Sequence, residues 1–204
     1  MIYFIADMCK PYPSDVVFVL DNSMSMGNVY FTLQKEYLIN LTNDWIIDEE
    51  HFQIAIITFS DVSVVQYDFG IISNNTDFSD KLSNIGFKGS ISQLHLGIAE
   101  GVNLLSKRER RIHLMKAKKY LIIISDGLLS TPRDLQAVSS EDIETDIVAF
   151  GEDVSHYYLS KITGNMTGVF PPTSDRLWYH MMADLIHPFC NGKSVADSIY
   201  MLYI

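Results

Sequence analysis

Three short polar clusters hold the oxygen donors of this chain that could act together. Asp21-Asn22-Ser23-Met24-Ser25 closes one apolar run, Ser125-Asp126-Gly127 closes another, and Gly89-Ser90-Ile91-Ser92 precedes a helical stretch. Carboxylates and hydroxyls, with no thiolate or imidazole beside them, form a hard donor set that suits Mg2+, Mn2+ or Ca2+ better than zinc or copper. Mg2+ is typically held by one or two carboxylates and keeps several waters, which leaves coordination positions for an outside group. The same residues have a simpler use, because Asp21 and Ser23 are also good N-caps for a helix that begins after them.

Other chemistries lack their residues. The six histidines (51, 95, 113, 156, 180 and 187) show no H-E-x-x-H and no paired ligand spacing, so surface or satisfied core roles are predicted for them. Ser92 and His95 stand three residues apart, but no G-x-S-x-G elbow accompanies them. Neither a phosphate-binding G-x-x-x-x-G-K-[ST] nor a G-x-G-x-x-G follows the first strand, which leaves a nucleotide site without support. The prediction is a protein that is not an enzyme.

The elements that must position these clusters alternate between short β-branched runs and longer helical stretches. Continuous apolar runs at 15–20 and 119–125 have the pattern of strands covered on both faces. Further strands are predicted at 53–59, 62–69 and 145–150. The break at Ser60-Asp61 is too short for a parallel crossover, so 62–69 is predicted as an antiparallel edge strand. Apolar spacings of three and four predict a helix over about 29–47, with others at 77–85, 93–106, 132–139, 154–162 and 174–186. Strands alternating with helices imply an α/β fold: a doubly wound, mostly parallel sheet with helices on both faces. In such sheets ligands gather at the carboxyl ends of the strands, where all three polar clusters fall.

An apolar strand followed by D-x-S-x-S at Asp21, Ser23 and Ser25, and much later an apolar strand ending in Ser125-Asp126-Gly127, resembles the von Willebrand factor A family with its metal-ion-dependent adhesion site. The resemblance runs from about residue 14 to 189. It implies a six-stranded sheet with one antiparallel edge strand, and a divalent cation, Mg2+ foremost. By resemblance, Ser23 and Ser25 coordinate the metal through their hydroxyls, and Asp21 and Asp126 act directly or through water. The family's threonine ligand corresponds to Ser92, with Ser90 as the alternative donor. The implied partner is a protein that completes the metal's shell with an acidic group. The rivals are a domain of the same fold with a vestigial, metal-free site and, more remotely, a metal-assisted hydrolase. Met24 and Met26 depart from the small residues common there, and either crowd the site or lend it an apolar rim.

Bulk properties frame these readings. The chain has 204 residues, enough for one α/β domain at 14–190, flanked by an N-terminal extension (1–13) and a tail (191–204). Its net charge of −10 argues against a nucleic-acid partner. Seven of its 15 Lys and Arg residues lie between Lys107 and Lys119; the stretch reads as a solvated connector or, more weakly, as a contact for an anionic glycan. No run is long and apolar enough to span a membrane. Cys9 and Cys190 flank the patterned region, either as unrelated thiols or as a disulfide joining the domain's ends. Sequons at Asn40, Asn74 and Asn165 are candidates for N-glycosylation. Together these features predict an extracellular or secreted protein, although Met1–Ala6 is not a convincing signal peptide and a cytoplasmic location is the alternative.

Overall fold

The run Val16-Val-Phe-Val-Leu20 has no polar side chain to offer solvent, and it forms the centre of β1 (Ser14–Asp21), every residue of which is buried. The computed structural model of the chain describes residues 12–112, 115–128, 142–164, 167–172, 176–177 and 180–181. Cys9, Cys190, Asn165, Leu129, the helix predicted at 132–139, most of that at 174–186 and the tail 191–204 lie outside the described residues. After β1 come α1 (Gly27–Leu41), β2 (Phe52–Phe59), β3 (Ser63–Tyr67), α2 (Asn75–Ser83) and α3 (Leu94–Ser106). A small hairpin of β4 (Arg111–Ile112) and β5 (Met115–Lys116) leads into β6 (Lys118–Ser125), β7 (Glu144–Ala149), α4 (His156–Thr163) and β8 (Val169–Phe170).

Six strands form one sheet in the order β3-β2-β1-β6-β7-β8. β1 runs parallel to β2 and to β6, β6 parallel to β7, and β7 parallel to β8, while β3 alone is antiparallel, at the edge beside β2. The chain builds outward from β1 in one direction and from β6 in the other. The order therefore reverses between β1 and β6, and this switch point is where an open α/β sheet leaves a crevice at its carboxyl edge. The sixth strand, β8, is only two residues long and has no strand pattern of its own. Its place is set by pairing with Ile147 and Val148.

Period-two alternation divides β1 between two cores. Val16, Phe18 and Leu20 face α1 and α2 through Phe31, Leu38, Phe78 and Leu82. Val17 and Val19 face α3 and α4 through Leu94, Ile98, Leu105, Leu159 and Ile162. Helix α1 ends earlier than its apolar spacing predicts. Thr42 donates both its amide (3.0 Å) and its hydroxyl (2.9 Å) to the Leu38 carbonyl, and the helix stops there. Trp45 continues the apolar rhythm as a loop residue, stacked on Phe52 with ring centroids 4.4 Å apart. Ile46 is exposed.

The basic stretch before β6 is built into the fold. Asp15 is fully buried on β1. Arg108 reaches its Oδ2 at 3.2 Å, and Arg110 its Oδ1 at 2.7 Å. Arg110 also donates to the carbonyls of Ser14, His51 and Glu49, and Arg108 to Gln53. For Arg108 and Arg110 this corrects the prediction of a solvated connector, whereas Lys107 and Arg111 are exposed as that prediction has them. The two guanidiniums neutralise a buried carboxylate and close the amino edge of the sheet, which turns them away from any outside anion.

Two substitutions test this construction. Asp15→Ala should cost about 3 kcal/mol in denaturant unfolding, near the low end for a broken buried pair because Arg108 keeps part of its side chain in water. Lys116→Ala, which removes only an exposed partner of Asp142, should stay within about 0.5 kcal/mol. On the other face, a Cβ at Gly97 would lie 2.8 Å from Val19 Cγ1 and 2.9 Å from Phe59 Cδ1. Gly97→Val should therefore destabilise by about 1–3 kcal/mol through overpacking.

Candidate metal centre

β1 ends at Asp21 and β6 at Ser125, on adjacent strands at the switch point. Asp21 is fully buried. Its Oδ1 accepts the Ser23 amide at 3.0 Å, and its Oδ2 accepts the Ser125 hydroxyl at 2.7 Å. Ser23, also fully buried, shares a 3.0 Å hydrogen bond with the hydroxyl of exposed Ser25. Asp126, 1% exposed, accepts the Leu128 amide at 2.8 Å. Four of the five predicted donors thus converge on one place.

The electrostatics there are unusual. Burial first, and then the Asp126 carboxylate, push the Asp21 carboxyl up to about 7, against the opposing pull of hydrogen bonds from Ser23 and Ser125. Asp126 is also raised, by burial first and to a lesser degree by Asp153, while the Leu128 amide and Ser25 hydroxyl hold it down. Among the described residues no Lys, Arg or His acts on either carboxyl. Two carboxylates share a low-dielectric site whose donors are hydroxyls and amides, and this is the environment that a divalent cation would neutralise. The fit of the donor set is therefore good. Helix capping fits less well. Asp21 bonds to the amide of Ser23 in the turn before α1, and the N-cap position is Met26, with no side-chain cap.

The third loop is drawn in by backbone contacts. Ser23 and Ser90 form a parallel bridge, and the Met24 amide donates to the Ser90 carbonyl at 2.7 Å. Gln93, three residues beyond Ser90, donates its amide to the Ser60 carbonyl just after β2. Ser92 lies between these ties and is 5% exposed. Ser90 is half-buried, with its carbonyl already committed.

Several residues outside the motif hold the site together. Asn22, left as an unspecified position by the D-x-S-x-S pattern, donates its Nδ2 to the Gly86 carbonyl, while its Oδ1 accepts the Lys88 amide and its carbonyl the Gly89 amide. Gln34, on α1, donates to the Asp21 carbonyl at 2.8 Å. Gly151 has φ 143°, and a Cβ there would lie 2.8 Å from that of Asp126. Only Gly151 left a sequence signal, as the glycine ending a strand run. Asn22 and Gln34 look like ordinary loop and helix residues until their partners, 13 to 67 residues away, are placed. The two methionines separate: Met26 is buried in the core, and Met24 is 72% exposed. Ile91 and Leu128 are exposed as well, so three apolar side chains rise from the three loops that meet here.

The sequon residues Asn40 and Asn74 are exposed, and Asn74 already caps α2 by accepting the Asp77 amide. Among the described residues no helix is long and apolar enough to cross a membrane.

Comparison with known proteins agrees with this architecture. Collagen alpha-1(XXI) chain of Xenopus laevis is 25% identical over 146 residues, 72% of this chain and 15% of that protein. Collagen alpha-6(VI) chain of Homo sapiens is 23% identical, covering 96% of this chain and 9% of that protein. The chain thus spans less than a sixth of these relatives' length, and neither they nor the matched family indicate an enzyme family. Among solved structures, proximal thread matrix protein 1 from the mussel byssus superposes with a TM-score of 0.66 at 19% identity, over 88% of this chain and 47% of that one. A structure of the same mussel protein with a zinc-occupied MIDAS motif superposes at 0.62 with 18% identity, over 86% of this chain and 45% of that one. The family model for the von Willebrand factor type A domain matches residues 15–176, and the chain belongs to that family.

Proposed function

We propose that this domain is a non-enzymatic, cation-dependent protein-binding module of the extracellular space. Asp21, Ser23, Ser25, Ser92 and Asp126 hold a divalent cation, with Mg2+ the best match to the donors and Mn2+ or Ca2+ the alternatives. An acidic group of the partner completes the shell. The observation that carries this reading is the contrast between two fully buried aspartates on one strand. Asp15 is neutralised by two arginines, whereas Asp21 has only hydroxyl and amide donors and a second carboxylate beside it. A buried charge is retained when it is paired or coordinates a metal, and a cation at Asp21 supplies what the arginines supply at Asp15. Met24, Ile91 and Leu128 give the rim an apolar surface suited to a protein ligand. The collagen chains among the relatives support the extracellular setting. Their partners are not carried over.

Added Mg2+ or Mn2+ should raise the thermal midpoint of the wild type, because a ligand selective for the folded state stabilises it. Asp21→Ala and Asp126→Ala should abolish that shift, together with any EDTA-sensitive binding to a partner. An unchanged midpoint across millimolar metal would instead favour the metal-free rival.

The effect of pH follows from Asp21. Its folded-state value of about 7 stands above the unfolded value of about 3.9. Without metal, its contribution to stability is present at acid pH and is lost as pH rises through about 7. Melts in EDTA should therefore show a midpoint that falls between about pH 5 and 8, a slope that Asp21→Asn flattens. Saturating metal requires the ionised carboxylate, so it should remove the slope or reverse it.

A further inference from the structure

The amino end of β7 carries Glu144 and Asp146, two residues apart and so on one face of the strand. This is the edge of the sheet away from Asp126: Glu144 stands beside Tyr120 early in β6, whereas Ala149 stands beside Ser125. His180, 36 residues beyond Glu144, brings its Nε2 to 3.3 Å from Glu144 Oε1 and 3.7 Å from Asp146 Oδ1. One donor atom from each of the three lies within 4.8 Å of the others.

Asp146 is 1% exposed, and its Oδ2 has no hydrogen-bond partner. A buried carboxylate oxygen without a donor is costly and calls for a ligand. Asp146, Glu144 and His180 all line one cavity of about 210 Å3, together with Thr145 and Thr167. That leaves room for an ion and its water, which occupies about 30 Å3 in the liquid. Both His180 contacts fall within ion-pair range but are long for a direct charge-assisted bond and close to the separation of two ligands on one ion. A charge-assisted N–H···O bond is about 2.7–2.9 Å long. Ligands about 2.0–2.2 Å from a tetrahedral zinc ion stand roughly 3.3–3.6 Å apart.

We infer that Glu144, Asp146 and His180 form a second divalent-cation site, separate from the one at Asp21 and selective for a zinc-like ion. An imidazole nitrogen with two carboxylates is a borderline donor set, which suits Zn2+ and discriminates against Mg2+. Three protein ligands leave a fourth position for water or an outside donor. The ion would tie the start of β7 to the segment carrying His180, whose ring packs on Phe170 of β8 with centroids 5.5 Å apart. This inference does not depend on the proposed function.

The test is calorimetric titration of the 204-residue chain with Zn2+ in millimolar Mg2+, which keeps the hard-oxygen site occupied. His180→Ala and Glu144→Gln both alter exposed side chains and should leave the far-ultraviolet circular dichroism unchanged. Each should bind one equivalent of Zn2+ fewer than the wild type. Titration with Co2+ should give the wild type a visible ligand-field absorption that His180→Ala loses and Asp126→Ala retains. Equal zinc stoichiometry and affinity in the wild type and His180→Ala would overturn the site and leave the three residues as an ion triad only. Loss of the absorption in Asp126→Ala but not in His180→Ala would assign the cobalt to the first site and overturn the proposal equally.

Discussion

A carboxylate buried at the end of a strand that is itself covered on both faces sets the terms for this domain. Asp21 cannot reach bulk water, because β1 is enclosed between two helical layers and between two parallel neighbours. It cannot be left bare either, since an unpartnered charge in that environment is costly by several kcal/mol. The surrounding structure responds with hydrogen-bond donors: the Ser23 amide and the Ser125 hydroxyl hold its two oxygens, and Gln34 holds its carbonyl. Those contacts fix the turn into α1 and couple the ends of β1 and β6. Bringing Asp126 alongside works against them, because a second carboxylate raises the cost of ionising the first.

The two edges of the sheet resolve the same electrostatic problem in different ways. At the amino edge, Asp15 meets two guanidiniums, Arg110 held by backbone carbonyls and Arg108 by the Gln53 side chain, and the charge is settled within the protein. At the carboxyl edge no comparable cation among the described residues acts on Asp21 or Asp126, and the surrounding loops carry exposed apolar side chains. Internal neutralisation makes the first edge structural. The second edge is the one to which the proposed ion and partner are assigned. Glu144, Asp146 and His180 repeat the theme on a smaller scale, with a buried carboxylate oxygen that the protein's own donors leave unmet.

The loops around Asp21 are tied together by backbone and side-chain hydrogen bonds alike. Asn22 binds the segment at 86–89 through three hydrogen bonds, and the isolated Ser23–Ser90 bridge adds a further tie outside the strands. Ser92 is carried to the site by this frame. A hydroxyl without the methyl group of threonine gains its orientation from such ties, because its own rotamer is less restricted.

The sequence by itself determined the α/β class, the edge strand, the strand ends at which ligands gather and the oxygen-donor character of the Asp21 and Asp126 clusters. All of these follow from local periodicity and from residue types adjacent in the chain. Tertiary structure decided what depends on distant partners. It placed β1 beside β6, so that residues 105 positions apart share one electrostatic field. It converted Arg108 and Arg110 of the basic stretch from apparent surface into the counter-charge of Asp15, buried Met26 while exposing Met24, and ended α1 at Leu41 although the apolar rhythm ran on to Trp45. It also gathered His180 with Glu144 and Asp146, across a gap that no short motif could span. The reason is the same in each case: periodicity reports which face of an element is apolar, whereas only the packed sheet decides which polar groups are enclosed together and must satisfy one another.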